Sequence, residues 1–272
     1  MNINYRPEID SLRAISIIGV IIYHAKINIL SYWLFPGGYY GVDIFFVISG
    51  YLITSIIYRE LSLTGNFSFI DFYLKRARRI LPALLFLLLI TIPLALKYLL
   101  PTSLIDFSKS TISSLGFSSN LYFYITGLEY GAENGLLKPL LHTWSLAVEE
   151  QFYIIFPFLF FLGFRYFKKI LFKLIIIISV ISFVYAILLS LENPVLNFYI
   201  LPSRIWELLI GSLVFFFEKE FKIKTSNFVS NLICFLSLIA IFISFMFFFV
   251  PLSTPNFKTL VLIIVSVMIL LF

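Results

Sequence analysis

The sequence Glu8-Ile-Asp-Ser-Leu-Arg-Ala-Ile-Ser-Ile-Ile-Gly-Val-Ile-Ile-Tyr-His24 has the apolar character of a membrane helix, yet it contains Asp10, Arg13 and His24. On insertion scales, hydrocarbon penalises such groups by roughly 2.5 to 3.5 kcal/mol each. At about 100° per residue, Arg13 and His24 lie three turns apart on nearly the same face, and Asp10 lies within about 60° of that line. The predicted helix therefore has one polar face, and a polar face inside a bilayer indicates a functional site.

The composition places the chain among helical membrane proteins. Of its 272 residues, 61% are hydrophobic and only 12% are charged, far outside the soluble globular range. The net charge of +6 is better explained by basic loops beside a membrane than by nucleic-acid binding. One cysteine, two histidines and the lack of an HExxH motif predict no intrachain disulfide and no metal site. We expect an all-α, polytopic transmembrane helix bundle in contact with membrane lipids and not with nucleic acid.

About eight apolar segments approach the roughly 20 residues that a membrane-spanning helix needs. They are 11–31, 42–58, 80–100, 144–164, 170–191, 203–218, 229–250 and 259–272. The last segment covers only about 21 Å as a helix, so we expect residues 1–272 to form a single but incomplete membrane domain that lacks later helices.

Basic residues predict the orientation of these segments. The connections 59–79, 165–173 and 219–224 are rich in Lys and Arg, which favours a cytoplasmic location for all three. An even number of membrane crossings must then separate the basic connections 59–79 and 165–173. The spans 80–100 and 144–164 supply two crossings. We therefore expect segment 101–142 to be an external, re-entrant or surface element, and the N-terminus to be cytoplasmic.

The second segment begins with glycines and an acidic residue, in Gly37-Gly-Tyr-Tyr-Gly-Val-Asp-Ile-Phe-Phe-Val-Ile-Ser-Gly-Tyr-Leu52. Asp43 and Gly50 share a helical face, which predicts a close helix approach beside the carboxylate. The sequence leaves open whether Asp43 serves helix packing or a functional site.

A basic cluster lies at the start of the third segment, in Phe72-Tyr-Leu-Lys-Arg-Ala-Arg-Arg-Ile-Leu-Pro82. Arg76 and Arg79 are three residues apart and can project from one helical face, and guanidinium groups bind phosphate in a bidentate manner. Membrane-topology signalling alone explains such basicity equally well.

The fourth segment begins with His142-Thr-Trp-Ser-Leu-Ala-Val-Glu-Glu-Gln-Phe-Tyr153. Ser145 and Glu149 share a face, with Glu150 alongside, so this end of the helix is unsuited to lipid tails. We expect a functional role for Glu149 and an interfacial position for His142.

A third polar helix start is Leu201-Pro-Ser-Arg-Ile-Trp-Glu-Leu-Leu-Ile-Gly211. Pro202 and Ser203 suit a helix N-terminus, and Arg204 can pair with Glu207 three residues on. The sequence leaves open whether Arg204 and Glu207 form a structural pair or bind the acceptor.

Together these blocks resemble the acyltransferase-3 family of integral-membrane O-acyltransferases, which modify bacterial surface and exported polysaccharides. The blocks are Tyr5-Arg6-Pro-Glu-Ile-Asp10-Ser-Leu-Arg13-Ala followed by His24, Gly41-Val-Asp43-Ile-Phe-Phe-Val-Ile-Ser-Gly-Tyr-Leu-Ile53, Phe72-Tyr with Arg76-x-x-Arg79-Ile-Leu-Pro82, Thr143-Trp-Ser-Leu-Ala-Val-Glu149-Glu-Gln-Phe-Tyr153, and Pro202-Ser-Arg-Ile-Trp-Glu207. The resemblance implies a bundle of about ten helices in the bacterial cytoplasmic membrane. It also implies an acyl-CoA donor, usually acetyl-CoA, and a sugar hydroxyl as acceptor, for example in lipopolysaccharide. An SGNH-type domain, fused or separate, is a further expected partner.

Joining the resemblance to the helix geometry gives each candidate residue an expected role. We expect His24 to act as general base or transient acyl acceptor, because neutral imidazole takes a proton near pH 7. Arg13, with Asp10, would stabilise the donor or developing negative charge, and Glu149 would orient His24 or bind the sugar. The remaining candidates are Lys75, Arg76, Arg78 and Arg79 for the phosphates of acyl-CoA, and Asp43, Ser145, Glu150, Arg204 and Glu207 for the acceptor.

Two other classes of function compete with acyl transfer. A proton-coupled transporter or flippase of a polysaccharide precursor would use Asp43, Glu149 and His24 as a proton relay, although no repeated halves are visible in the sequence. A non-catalytic anchor for a polysaccharide-assembly complex would tolerate any substitution of His24.

Overall fold

Helices make up nearly all of the computed structural model, which describes residues 6–29, 32–127, 138–221, 225–248 and 255–272. A hairpin of two-residue strands, β1 (Asn28–Ile29) and β2 (Tyr32–Trp33), follows the first helix. A single 3₁₀ turn, Gly38–Tyr40, precedes the second. The helices are α1 (Pro7–Ala25), α2 (Gly41–Thr64), α3 (Phe69–Tyr98), α4 (Pro101–Leu115), α5 (Ser119–Gly127), α6 (Thr143–Tyr166), α7 (Leu171–Glu192), α8 (Pro194–Tyr199), α9 (Leu201–Glu220), α10 (Asn227–Phe247) and α11 (Phe257–Leu271).

The all-α, polytopic prediction is confirmed, and every predicted span coincides with a helix. Within the described residues, five segments are long and apolar enough to cross a membrane: Gly38–Thr64, Phe69–Tyr98, Thr143–Tyr166, Leu171–Glu192 and Asn227–Phe247. The other three predicted spans are α1, α9 and α11. Charged side chains interrupt the first two, and α11 has only 15 residues.

Some predicted boundaries differ from the structure. Helix α1 ends at Ala25, where Lys26 adopts a left-handed conformation with φ of 49°. Helix α3 begins at Phe69 rather than at residue 80, because Ser68 caps it by accepting a hydrogen bond from the backbone N–H of Asp71. The basic cluster is therefore the first part of α3. Residues 5, 30–31, 222–224 and 249–250, which belong to a quoted motif, two predicted spans and one basic connection, lie outside the described residues.

Segment 101–142 contains the two short helices α4 and α5. They meet at Gly116 and at Phe117, whose φ is 51°. Helix α4, with 15 residues, is about 22 Å long and cannot cross a bilayer alone. Residues 128–137 lie outside the described part of the chain, and the expectation that segment 101–142 does not cross the membrane stays a prediction.

Two compact units divide the chain. Unit 1 consists of Met1–Tyr58, Gly163–Phe198 and Pro202–Phe272, and unit 2 consists of Arg59–Leu162 and Tyr199–Leu201. The polar residues that the sequence singled out are shared between them: α1, the start of α2 and the start of α9 belong to unit 1, whereas the basic cluster and the start of α6 belong to unit 2.

Helices α2 and α9 are in backbone contact in unit 1. A Cβ atom at Gly50 would overlap the carbonyl oxygen of Leu208, and one at Gly211 would overlap the carbonyl oxygen of Val47. Small residues allow helices inside a membrane to approach in this way, where packing replaces the hydrophobic effect as the driving force. The close approach predicted beside Asp43 is confirmed.

We expect Gly211→Ala to lower the free energy of unfolding by about 1 to 3 kcal/mol, because the new methyl group meets backbone, which cannot rotate away. Thermal unfolding of the detergent-solubilised protein measures the change. The matched control is Gly127→Ala, since a Cβ there meets no atom of the described residues within 4 Å and should shift the midpoint little. Equal midpoints for the two variants would contradict the close contact.

Candidate active site

On the polar face of α1, Asp10 and Arg13 lie near the start of the helix, and His24 lies near its end. Arg13 Nη1 lies 3.3 Å from Asp10 Oδ1, in an ion pair three residues apart that is partly open to solvent. His24 is exposed and lies in the last helical turn, roughly 16 Å along the axis from Arg13. The imidazole is therefore accessible to a substrate. The nearest aromatic ring is Tyr23, which meets it edge-on at 5.1 Å between ring centres.

A buried ion triad joins α2 to α9. Arg204 Nη1 donates to Asp43 Oδ1 at 2.6 Å and to Glu207 Oε1 at 3.1 Å. The three side chains are at most 4% exposed, so water cannot replace any partner. Two buried carboxyl groups share one guanidinium, and such a cluster is stable in a membrane protein only through its internal contacts.

Further hydrogen bonds hold the guanidinium and the backbone at the start of α9. Arg204 Nε donates to the carbonyl oxygen of Phe198 at 3.2 Å. In α7, Ser182 Oγ donates to the carbonyl oxygen of Pro202 at 2.6 Å and accepts from the backbone N–H of Trp206 at 3.2 Å. This role of Ser182 was not predictable from the sequence, because α7 is an apolar run in which Ser182 has no distinguishing neighbour.

From the sequence, we expect Asp43, Arg204 and Glu207 to bind the acceptor. In the structure, the polar atoms of these side chains bond with one another where α2 meets α9. The partner of Asp43 is Arg204, from a helix start 161 residues later in the chain. This arrangement supports a role in positioning the helices of unit 1.

In unit 2, one member of the basic cluster differs from the rest. Arg76 is half-buried, and its guanidinium carbon lies 4.4 Å from the centre of the Tyr153 ring and 5.9 Å from that of Phe72. Lys75, Arg78 and Arg79 are exposed. Stacking on aromatic rings orients a guanidinium while leaving its edge N–H groups available. Arg76 is therefore the member best prepared to bind a phosphate.

The acidic residues of α6 separate by burial. Glu150 is 8% exposed and interacts electrostatically with Arg76 and Glu149, whereas Glu149 is half-buried. Ser145 Oγ donates to the carbonyl oxygen of His142 at 3.3 Å. The sequence assigned Glu150 to the acceptor, but the structure places it beside the arginine assigned to the donor.

A polar cluster that the sequence analysis missed fixes α5 against α6. Asn120 is fully buried and donates to the carbonyl oxygen of Tyr199 at 3.0 Å. Gln151 Nε2 donates to Asn120 Oδ1 at 2.8 Å and to the carbonyl oxygen of Phe117 at 3.0 Å. The half-polar character of segment 101–142 was the available signal. Among the described residues, no group of three or more His, Cys, Asp or Glu side chains could hold a metal ion.

We expect Arg204→Met to lower the free energy of unfolding by about 3 to 5 kcal/mol, because it leaves two buried carboxylates without their cation. The same thermal measurement tests it. Asp10→Asn is the control, since breaking a partly exposed ion pair costs about 0 to 1 kcal/mol. A stable Arg204→Met protein would show that the triad does not hold α2 to α9.

Comparison with known proteins places these features in one family. A family model described as an acyltransferase domain matches residues 6–272. The O-acetyltransferase OatA of Staphylococcus aureus (strain NCTC 8325 / PS 47) is 35% identical over 224 residues, which are 81% of this chain and 36% of OatA. The putative peptidoglycan O-acetyltransferase YrhL of Bacillus subtilis (strain 168) is 40% identical over 215 residues, 76% of this chain and 32% of YrhL.

The chain thus spans about a third of the length of these curated relatives. No solved structure matches it significantly. The family match includes residues of both compact units and all of the polar helix starts described above. The chain therefore belongs to the acyltransferase-3 family, whose members carry a membrane-embedded acyltransferase domain.

Proposed function

We propose that this chain transfers an acyl group, most simply acetyl, from acyl-CoA to a hydroxyl group of a cell-envelope glycan. Family membership supports the reaction class. The observation that carries the proposal is the accessible imidazole of His24 on the same helix as the Arg13–Asp10 pair. One polar face thus offers a base for the acceptor hydroxyl and, further along the helix, a cation for the donor, as acyl transfer from acyl-CoA to an alcohol requires.

The names of the relatives guide the choice of acceptor. YrhL is described as a putative peptidoglycan O-acetyltransferase and OatA as an O-acetyltransferase. We infer an acceptor built of amino sugars, as in the cell wall, in preference to lipopolysaccharide. We place the protein in the cytoplasmic membrane with a cytoplasmic N-terminus, following the distribution of basic connections. An SGNH-type domain, fused or separate, is a fitting partner for this chain.

In the proposed reaction, neutral His24 accepts the proton of the acceptor hydroxyl as its oxygen attacks the thioester carbonyl carbon. The oxygen–carbon bond forms and the carbon–sulfur bond breaks. The departing CoA thiolate then takes the proton from imidazolium, so the products are an ester and CoA. Arg13, roughly 16 Å from His24 along the helix axis, contacts the acyl-CoA donor on the same face, and Asp10 fixes its guanidinium. Glu149 remains a candidate for binding the sugar.

For the donor, we propose that Arg76 binds phosphate of acyl-CoA with its edge N–H groups while Tyr153 and Phe72 hold its faces. Arg79, Arg78 and Lys75 are exposed and add positive charge around this point. Glu150 supplies a local counter-charge for Arg76. Ser145 stays a candidate acceptor contact.

A transporter would require Asp43 to exchange protons along a path. The buried ion pair of Asp43 with Arg204, at 2.6 Å, supports a fixed anchor instead. The enzyme hypothesis needs no such movement.

We expect His24→Ala to reduce CoA release at least a hundredfold, since positioned general bases contribute about 10²- to 10⁴-fold to rates. The assay uses the full-length protein in proteoliposomes with radiolabelled acetyl-CoA and isolated cell-wall glycan. His142→Ala is the matched control, because His142 is the other histidine of the sequence and should be dispensable. Full activity in His24→Ala would exclude His24 as the base.

We expect Arg76→Ala to raise the KM for acetyl-CoA about tenfold or more with little change in kcat, because it removes a phosphate contact made in both the ground and transition states. Arg165→Ala is the control: it removes an exposed arginine from another basic connection and so reports general effects of lost positive charge. An equal effect in both variants would argue against a specific phosphate site.

A further inference from the structure

At the end of α1, the ring of Tyr23 contacts three other rings. Tyr23 is at the centre: its ring stacks on Trp33 at 5.2 Å with an interplanar angle of 23°, and it meets Tyr39 edge-on at 5.2 Å. Its other neighbour is His24, at 5.1 Å and 83°. The catalytic candidate is thus one member of a ring cluster within unit 1.

The backbone that follows α1 creates this cluster. After the left-handed Lys26, strands β1 and β2 turn the chain back, and Leu34 N–H donates to the carbonyl oxygen of Ile27 at 2.8 Å. Trp33 therefore returns to the level of Tyr23, ten positions earlier in the sequence. In the hairpin, Trp33 lies opposite Asn28.

The cluster is only partly covered. Tyr23, Trp33 and Tyr39 are half-buried, and Asn28 and His24 are exposed. The neighbouring Tyr32 is 80% exposed. Single aromatic residues are common where a membrane meets water, but that tendency does not explain a Tyr–Trp stack in contact with an imidazole. A partly open aromatic surface beside polar groups is typical of a ligand site.

We propose that Trp33 and Tyr23 form a sugar-binding subsite, which places one pyranose ring of the glycan acceptor so that a hydroxyl reaches His24. This inference rests on the proposed function of His24. The C–H groups on one face of a pyranose are apolar and slightly positive, so they pack on the negative face of an aromatic ring. The sugar hydroxyls remain free at the ring edge to bond with polar groups such as the Asn28 amide.

The subsite fits a sugar better than other ligands of an acyltransferase. Acyl-CoA phosphates need several cations, which the basic cluster of α3 supplies, whereas the stack is followed on α1 by the imidazole and by one cation, the exposed Lys26. Because only Tyr23 separates Trp33 from His24, one or two linked sugar units cover the distance. Such a site explains how an enzyme with an exposed base selects a glycan hydroxyl over water.

Two substitutions of Trp33 separate aromatic stacking from simple packing. Trp33→Leu keeps an apolar side chain but removes the aromatic face, and we expect it to raise the KM for the glycan about tenfold, equivalent to about 1.4 kcal/mol. The KM for acetyl-CoA should stay within twofold. Trp33→Phe keeps an aromatic face and should keep most of the affinity. Tyr166→Leu is the control, because Tyr166 is an exposed aromatic residue of the same unit, at 68%.

The experiment uses the full-length protein in proteoliposomes with acetyl-CoA and a soluble oligosaccharide of alternating N-acetylglucosamine and N-acetylmuramic acid. Tryptophan fluorescence gives a second reading that is independent of turnover. Of the three tryptophans, Trp144 and Trp206 are 8% and 1% exposed, so the oligosaccharide should change the emission of the wild type and of Tyr166→Leu but not of Trp33→Phe.

The outcomes are distinct for the subsite and for the enzyme. Fluorescence changes that are the same in wild type and Trp33→Phe, or an unchanged glycan KM in Trp33→Leu, would overturn the subsite while leaving acyl transfer intact. A Trp33-dependent fluorescence change without any CoA release would support sugar binding and refute the proposed reaction. Loss of affinity for glycan and acetyl-CoA together would show a structural role for Trp33 and overturn the subsite.

Discussion

Unit 1 depends on the pairing of Arg204 with Asp43 and Glu207. These charges lie in helices that also touch through Gly50 and Gly211, so they have no access to bulk water. A charged group in this position must find its partner inside the protein. Because Asp43 comes from α2, whereas Arg204 and Glu207 come from α9, meeting this requirement fixes how α2 and α9 lie against each other.

The far end of the same helix pair carries a second polar network. Arg6 forms ion pairs with Glu8 at 2.5 Å and with Glu218 at 3.0 Å, and Tyr51 donates to Glu218 at 2.7 Å. Arg6 also donates to the carbonyl oxygen of Leu270 at 2.6 Å. The start of α1 is thereby joined to α2, α9 and α11. Arg6 thus ties α1, the helix that carries Arg13 and His24, to the pair formed by α2 and α9.

Unit 2 satisfies its polar groups in a different way. Arg76 is held by aromatic faces and has Glu150 nearby, and Asn120 with Gln151 satisfies backbone carbonyls around the short helices. Aromatic contact keeps a guanidinium oriented without consuming its N–H groups. In Arg204, by contrast, carboxyl oxygens and a carbonyl oxygen accept from the N–H groups. Arg76 is therefore suited to binding a ligand, and Arg204 is suited to anchoring helices.

The sequence by itself determined the helical membrane class, the approximate position of the long helices, the family, and the polar face of α1 with Asp10, Arg13 and His24. These follow from hydropathy and from the 3.6-residue period, which are local properties of the chain. Boundaries were less accurate where capping decided them, as at Ser68. Only the tertiary structure decided which partner each polar group has: Asp43 with Arg204, Arg76 with Tyr153, Glu150 with Arg76, and Trp33 with Tyr23. The physical reason is that a side chain's partner depends on which distant backbones approach each other, and the local period contains no information about that approach.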